Sequence, residues 1–167
     1  MLEFNFLVIL LAALIPMVLG FIWYNPKVFG NAWMAAADMN EEKMKGANMA
    51  VIFIISFILS VLLAFSMVGI TIHQFGVQSL FMADPEFITE GSAVQTQFSD
   101  LMTQFDGAFR TFKHGALHGT IAGLFFALPV LGTNALFERK GWKYILVNCG
   151  YWTVCLALMG GVICQWL

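Results

Sequence analysis

The sequence predicts an all-α integral membrane protein, a single membrane domain over residues 1–167, built as a four-transmembrane-helix bundle with an amphipathic helix in its 72–108 connection. Three observations predict it. Hydrophobic residues make up 60% of the chain and charged residues 11%, with a mean hydropathy of +0.81, far from the balance of a water-soluble domain. Four apolar runs, near 4–24, 48–71, 111–136 and 144–166, reach the roughly 20 residues that a hydrocarbon core of about 30 Å requires. No run alternates with the period of two of a membrane barrel, and a helix satisfies its own backbone in lipid.

The first run carries Glu3 where a secretory leader carries Lys or Arg, and its apolar stretch is longer than a leader's. A retained helix, kinked at Pro16, is expected. In the connection that follows, apolar "VFGNAWMAAA" precedes charged "MNEEKMK", the pattern of a short helix lying on the membrane surface. The second run holds Ser56, Ser60 and Ser66, ordinary polar residues of membrane helices.

In the long 72–108 connection Asp84-Pro85 marks a turn. Beyond it Val94, Phe98, Leu101, Phe105 and Phe109 recur at steps of three and four among polar residues, the pattern of an amphipathic helix. It is expected to run on into the third span apart from a hinge at Gly107, its apolar face lying either on lipid or on the bundle. Pro129 is expected to kink the third span. Cys149, Cys155 and Cys164 stand six and nine apart, without metal-ligand spacing, and read as small buried residues with no disulfide. Asn134 and Asn148 are placed to bond across the last hairpin.

Orientation follows from Lys and Arg. Lys27, Lys43 and Lys45 lie in the first connection, and Arg139, Lys140 and Lys143 in the turn at 137–143, so both face the cytoplasm. The 72–108 connection holds Asp84, Glu86, Glu90, Asp100 and Asp106 and no Lys or Arg, and with both termini it is assigned to the periplasmic or outer side. Trp23, Tyr24, Trp142 and Tyr144 fit an aromatic belt on the cytoplasmic side.

The stretch "KHGALHGTIAG" at 113–123 interrupts this apolar pattern. Gly115, Gly119 and Gly123 stand four apart and form a helix-packing groove, to be filled either inside the monomer or by a second copy; the latter predicts a homo-oligomer. Asp106, Arg110, His114 and His118 are also four apart, and Asp106 before Arg110 is the favoured order for an ion pair. Lys113 adds a cation, and His73 ends the second span at the same membrane level, so the three histidines of the chain gather there.

Three readings compete for this cluster. His73, His114 and His118 suit zinc or copper, an i, i+4 pair plus a third ligand with an open position, but Arg110 and Lys113 oppose a cation, which makes this the least favoured. A cationic pocket of His73, Arg110, Lys113, His114 and His118, with Asp106, suits an anion, a lipid headgroup or a carboxylate. In the plainest reading Arg110 and Lys113 snorkel to headgroups, and the histidines bond to neighbouring helices.

No nucleophile elbow, phosphate loop, dinucleotide fingerprint or Cys-x-x-Cys is present, so no catalytic residue and no cofactor is assigned and an enzyme is not expected. Eight Lys plus Arg and a net charge of −2 exclude a nucleic-acid partner, which leaves the lipid bilayer, a second copy or a membrane-complex subunit.

The blocks "VLGFIWYNPKVFGNAWM", "HGALHGTIAGLFFALP" and "FERKGWKYILVNCGYWTV" resemble the bacterial membrane proteins grouped as domain of unknown function 1761 (DUF1761). Gly20, Trp23, Tyr24, Pro26, Phe29, Gly30 and Trp33 carry the first part of the likeness, and His118, Gly119, Phe137 and Glu138 the second, whereas 80–106 looks like an insertion. The resemblance implies four helices in a bacterial inner membrane, multi-pass, and supplies no activity. It also marks Trp23, Pro26, Gly30 and Trp33 as a structural corner. Two functions are expected: binding or passing a small ligand, anion or lipid at the outer-facing cluster, or an accessory or scaffolding role through the glycine groove and the amphipathic helix.

Overall fold

The computed structural model describes residues 4–167, so Glu3 lies outside the described residues. It is all-helical, without strands among the described residues: α1 (Phe6–Trp23), α2 (Gly30–Ala37), α3 (Glu41–Met44), α4 (Met49–Thr71), α5 (His73–Phe81), α6 (Ala93–Gln104), α7 (Phe112–Ala122), α8 (Leu128–Phe137) and α9 (Trp142–Trp166). A π-helical segment, Gly123–Ala127, joins α7 to α8 in one 26-residue helix. With α1, α4 and α9 this gives four helices long and apolar enough to cross a membrane, in the places the hydropathy pattern indicates.

Capping explains where several helices begin. Asn5, Asn48, Ser92 and Thr111 each accept a backbone N–H from the first turn that follows. The π segment sits just ahead of Pro129, whose missing N–H and ring oppose a regular turn, and the Leu128 N–H reaches back to the Gly123 carbonyl. The helix thus absorbs the proline by widening one turn.

The centre of the bundle is α9, which packs on α1, α2, α4, α7 and α8. Ile9, Ala12 and Ala13 of α1, Ala64, Met67 and Val68 of α4, Ala122 of α7 and Leu156, Met159 and Ile163 of α9 form the core. Leu10, Leu11, Ile55, Ile58, Leu62, Phe125 and Val130 point outward and stay exposed, an apolar exterior that water would penalise and hydrocarbon would not.

The closest approach is α7 on α9. A Cβ at Gly115 would strike the Gly160 carbonyl, one at Gly119 the Leu156 carbonyl, and one at Gly123 would lie 2.6 Å from Thr153 Cα. The glycine face is therefore filled by α9 of the same chain, backbone against backbone.

At the opposite end of α1 the corner closes onto α9. Gly30 N–H donates to the Asn25 carbonyl at 2.9 Å, and a Cβ on Gly30 would strike the Tyr24 carbonyl. Trp23 Nε1 donates to the Val147 carbonyl at 3.1 Å, and the Tyr24 hydroxyl to Asn148 Oδ1 at 3.0 Å. Trp33 packs edge-on to Tyr24 at 5.5 Å, and Pro26 lies in the turn between α1 and α2. Asn148 thus pairs with Tyr24 and with the Tyr144 carbonyl rather than with Asn134, because α1 reaches it first.

The 72–108 connection departs from expectation. The second long helix breaks at Ile72, and a further helix, α5, starts at His73. α6 ends at Gln104 and is not continuous with α7, since Gly107 and Phe109 both have positive φ, 68° and 61°. Its buried Phe98 packs on Phe81 and Phe87, at 5.4 and 5.0 Å between rings, so the amphipathic face folds onto α5 and the 3-10 turn at Pro85–Ile88. The three cysteines are free and buried.

Gly119→Ala is expected to destabilise the bundle by about 1–3 kcal/mol through overpacking, whereas Gly69→Ala, where nothing lies within 4 Å, is expected to be nearly neutral. Thermal unfolding of both variants in detergent checks the contrast.

Candidate metal centre

At the end of the bundle where α4 and α9 finish and α7 starts, His73, His114 and His118 bring one ring nitrogen each within 4.8 Å of one another. Their rings form a near-equilateral triangle, with centroids 5.0, 5.0 and 4.5 Å apart. His73 Nε2 stands 2.9 Å from His114 Nε2, so one of the two donates to the other. His73 is exposed and the other two half-buried. All three candidate ligand atoms are imidazole nitrogens, neutral when they ligate.

Each ring has an identifiable support. His114 and His118 share one face of α7, one turn apart. Thr111 caps that helix by accepting the His114 N–H at 3.2 Å. His73 is the first residue of α5, set by the extended backbone of buried Ile72. Gln74 donates to the carbonyls of Ala108 at 3.0 Å and Phe105 at 3.4 Å, tying α5 to the turn before α7, while its own Oε1 is buried without a partner among the described residues. That turn places the Phe109 ring 5.0 Å from His114 and 6.0 Å from His73. Phe109 holds φ at 61°, a left-handed conformation that costs a bulky residue about 1–3 kcal/mol and recurs at binding sites.

The charged residues of the cluster are arranged otherwise than their spacing suggests. Asp106 and Arg110 lie in the turn between α6 and α7, not on a common helix, and no ion pair joins them. Arg110 Nε donates instead to the Cys164 carbonyl at 2.7 Å, a cation on the C-terminal end of α9. Gln165 answers by accepting the Phe112 N–H at 2.9 Å, so α9 caps α7 while Arg110, two residues ahead of α7, caps α9. Cys164 Sγ donates toward the Phe109 and Thr71 carbonyls at 3.2 and 3.4 Å. Lys113 is exposed and forms no ion pair among the described residues.

Three imidazoles on two elements, with one side open, suit a borderline divalent ion such as zinc. Donors around a tetrahedral ion with bonds of 2.0–2.1 Å stand about 3.3 Å apart. The three nitrogens lie within 4.8 Å of one another, and His73 and His114 bring two ring nitrogens to 2.9 Å, a range that brackets that separation. The positioning residues Gln74, Phe109, Thr111, Cys164 and Gln165 escaped sequence reasoning; only Thr111 carries a local signal, as a cap residue ahead of a helical run.

A family described as "protein of unknown function (DUF1761)" matches residues 7–164. No curated protein and no solved structure matches the chain.

Arg110→Leu is expected to lower stability by about 1–2 kcal/mol, because its bond to the end of α9 is lost. Thermal unfolding measures the loss, and an unchanged midpoint would refute the capping role.

Proposed function

The chain belongs to the DUF1761 family, and from that premise we propose that it is a multi-pass membrane protein holding a divalent transition-metal ion at His73, His114 and His118 on its outward-facing end. The single observation that carries the reading is the convergence of three histidine nitrogens from α5 and α7 within 4.8 Å.

Four long apolar helices with an apolar exterior support the membrane setting. Lys27, Lys43, Lys45, Arg139 and Lys140 in the connections, and Lys143 in the first turn of α9, lie at the end remote from the histidines, which by the charge rule is the cytoplasmic side. The termini and the histidine cluster then face the periplasm of a bacterial inner membrane.

A metal ion is favoured over an anion alone because the Arg110 guanidinium, which an anion would need, is engaged with the end of α9. Among the described residues Lys113, next to His114 in the chain, has no ion pair, and it is suited to balance an anion or hydroxide at the fourth position. An accessory-subunit reading finds less support, since α9 fills the glycine groove and α5 takes the amphipathic face of α6.

Equilibrium dialysis of the detergent-purified protein against zinc is expected to show one ion bound per chain. His118→Ala is expected to weaken binding by about 100-fold or more, the upper end of what loss of a mere supporting group does. Binding is also expected to fall on acidification, because protons compete for the imidazoles. Cobalt, used as a spectroscopic probe, is expected to give the visible bands of a four-coordinate site. No stoichiometric binding, or binding indifferent to His118→Ala, would sink the proposal.

A further inference from the structure

A pocket of about 250 Å³ lies between the end of α8 and the start of α9, at the end of the bundle remote from the histidines. Two facing stripes build it. α8 and its C-terminal cap supply Leu131, Asn134 and Glu138, spaced three and four apart, and α9 supplies Tyr144, Asn148 and Trp152, each four apart. Each trio therefore shares one face of its helix.

Much of the polar capacity of these walls is unused. Asn148 is engaged, accepting the Tyr24 hydroxyl at 3.0 Å and donating to the Tyr144 carbonyl at 2.9 Å. The side chains of Asn134, Glu138, Tyr144 and Trp152 form no hydrogen bond or ion pair among the described residues. Glu138 is exposed, so its carboxylate stands at the mouth, whereas Trp152 lies half-buried on α9. At 1.5 Å per residue Trp152 is about 12 Å further along that helix than Tyr144. Leu131, Ala135 and Ile145 add apolar wall.

Charge and shape narrow the ligand. Glu138 is the one charged side chain in the lining. Lys140 is outside it: its ammonium donates to the Ala37 carbonyl at 2.8 Å and lies 5.8 Å from the centre of the Tyr144 ring. Arg139 and Lys143 are exposed, and their fields are screened by salt water over about 8–10 Å. An anion would meet Glu138 with no cation in the walls to offset it. A cation finds a carboxylate, an amide oxygen and two aromatic rings, the groups that recognise an organic ammonium ion. Apolar wall beyond the carboxylate calls for an apolar body, and the volume, below that of an ordinary drug-sized site, keeps that body short.

We infer that this pocket binds a small primary ammonium ion with a short apolar body. The ammonium meets Glu138 and the amide oxygen of Asn134, and the apolar part lies between Tyr144 and Trp152. The site shares no residue with the histidine centre, so either can fail alone.

The test is saturation-transfer NMR on the detergent-purified protein with three probes of one shape: isoamylammonium, isoamyl alcohol and isovalerate. The ammonium ion is expected to bind in the millimolar range, as few atoms make contact. The alcohol is expected to bind about fivefold more weakly, the worth of an ion pair at a pocket rim, and isovalerate not to bind. Glu138→Gln is expected to bring the ammonium ion down to the affinity of the alcohol while zinc binding at the histidines is unchanged. No ammonium signal above that of empty micelles, equal binding of ammonium and alcohol, binding of isovalerate, or an ammonium affinity unchanged in Glu138→Gln would overturn the inference. Glu138 is exposed, so its substitution leaves the packed interior untouched.

Discussion

Everything at the histidine end follows from how closely α7 can approach α9. In hydrocarbon no solvent drives helices together, so association rests on van der Waals contact and interhelical hydrogen bonds, and both sharpen as backbones come closer. Gly115, Gly119 and Gly123 on one helix meet the backbone of Gly160, Leu156 and Thr153 on the other, with Cβ of Cys164 and the side chain of Thr153 also against the glycine face. This contact fixes the rotation of α7 about its axis. With the glycine face committed to α9, His114 and His118 must emerge on an adjoining face, toward α5, where His73 stands. A bulkier residue at Gly119 would displace or turn the helix and so reach both histidines at once.

Contact along the helices leaves their ends to be satisfied, and here the two helices serve each other. The α9 terminus has unbonded carbonyls and the α7 start has unbonded N–H groups. Arg110 addresses the first and Gln165 the second, while Cys164 Sγ reaches carbonyls of both Thr71 and Phe109. The end of α4, the start of α7 and the end of α9 are therefore tied at one level. The left-handed conformation of Phe109 is held there by neighbours on either side, which is what allows an unfavourable backbone geometry to persist.

The long helices were legible because their signal is composition over some twenty residues, which local chemistry hardly perturbs. The glycine register was legible as a packing face for the same reason, but its partner was not: nothing in Gly115, Gly119 or Gly123 names Gly160. The assumption that failed was helical continuity. Spacing of four from Asp106 through His118 suggests one stripe, yet Gly107 and Phe109 at positive φ break the chain, so Arg110 leaves the stripe and meets α9. The break at Ile72 is subtler still: Ile70, Thr71 and Ile72 are β-branched and favour a helix only weakly, which does not say where the helix stops, and burial of Ile72 against the core accompanies the turn. Convergence of His73 with the α7 pair depends on that break, a tertiary event with no local signature.

The choice of donors suits the depth at which they sit. Carboxylates near hydrocarbon would carry a desolvation penalty whenever the ion was absent, whereas neutral imidazoles can satisfy one another, as His73 and His114 do at 2.9 Å. The tri-imidazole set therefore gives up charge attraction for a stable empty state. A divalent ion bound there would keep its full charge beside Lys113, and the remedy is an anionic fourth ligand from solution rather than a protein carboxylate. The exposed face of His73 leaves room for one. On the proposed reading the histidines would hold the metal and the open coordination position would take the negative charge.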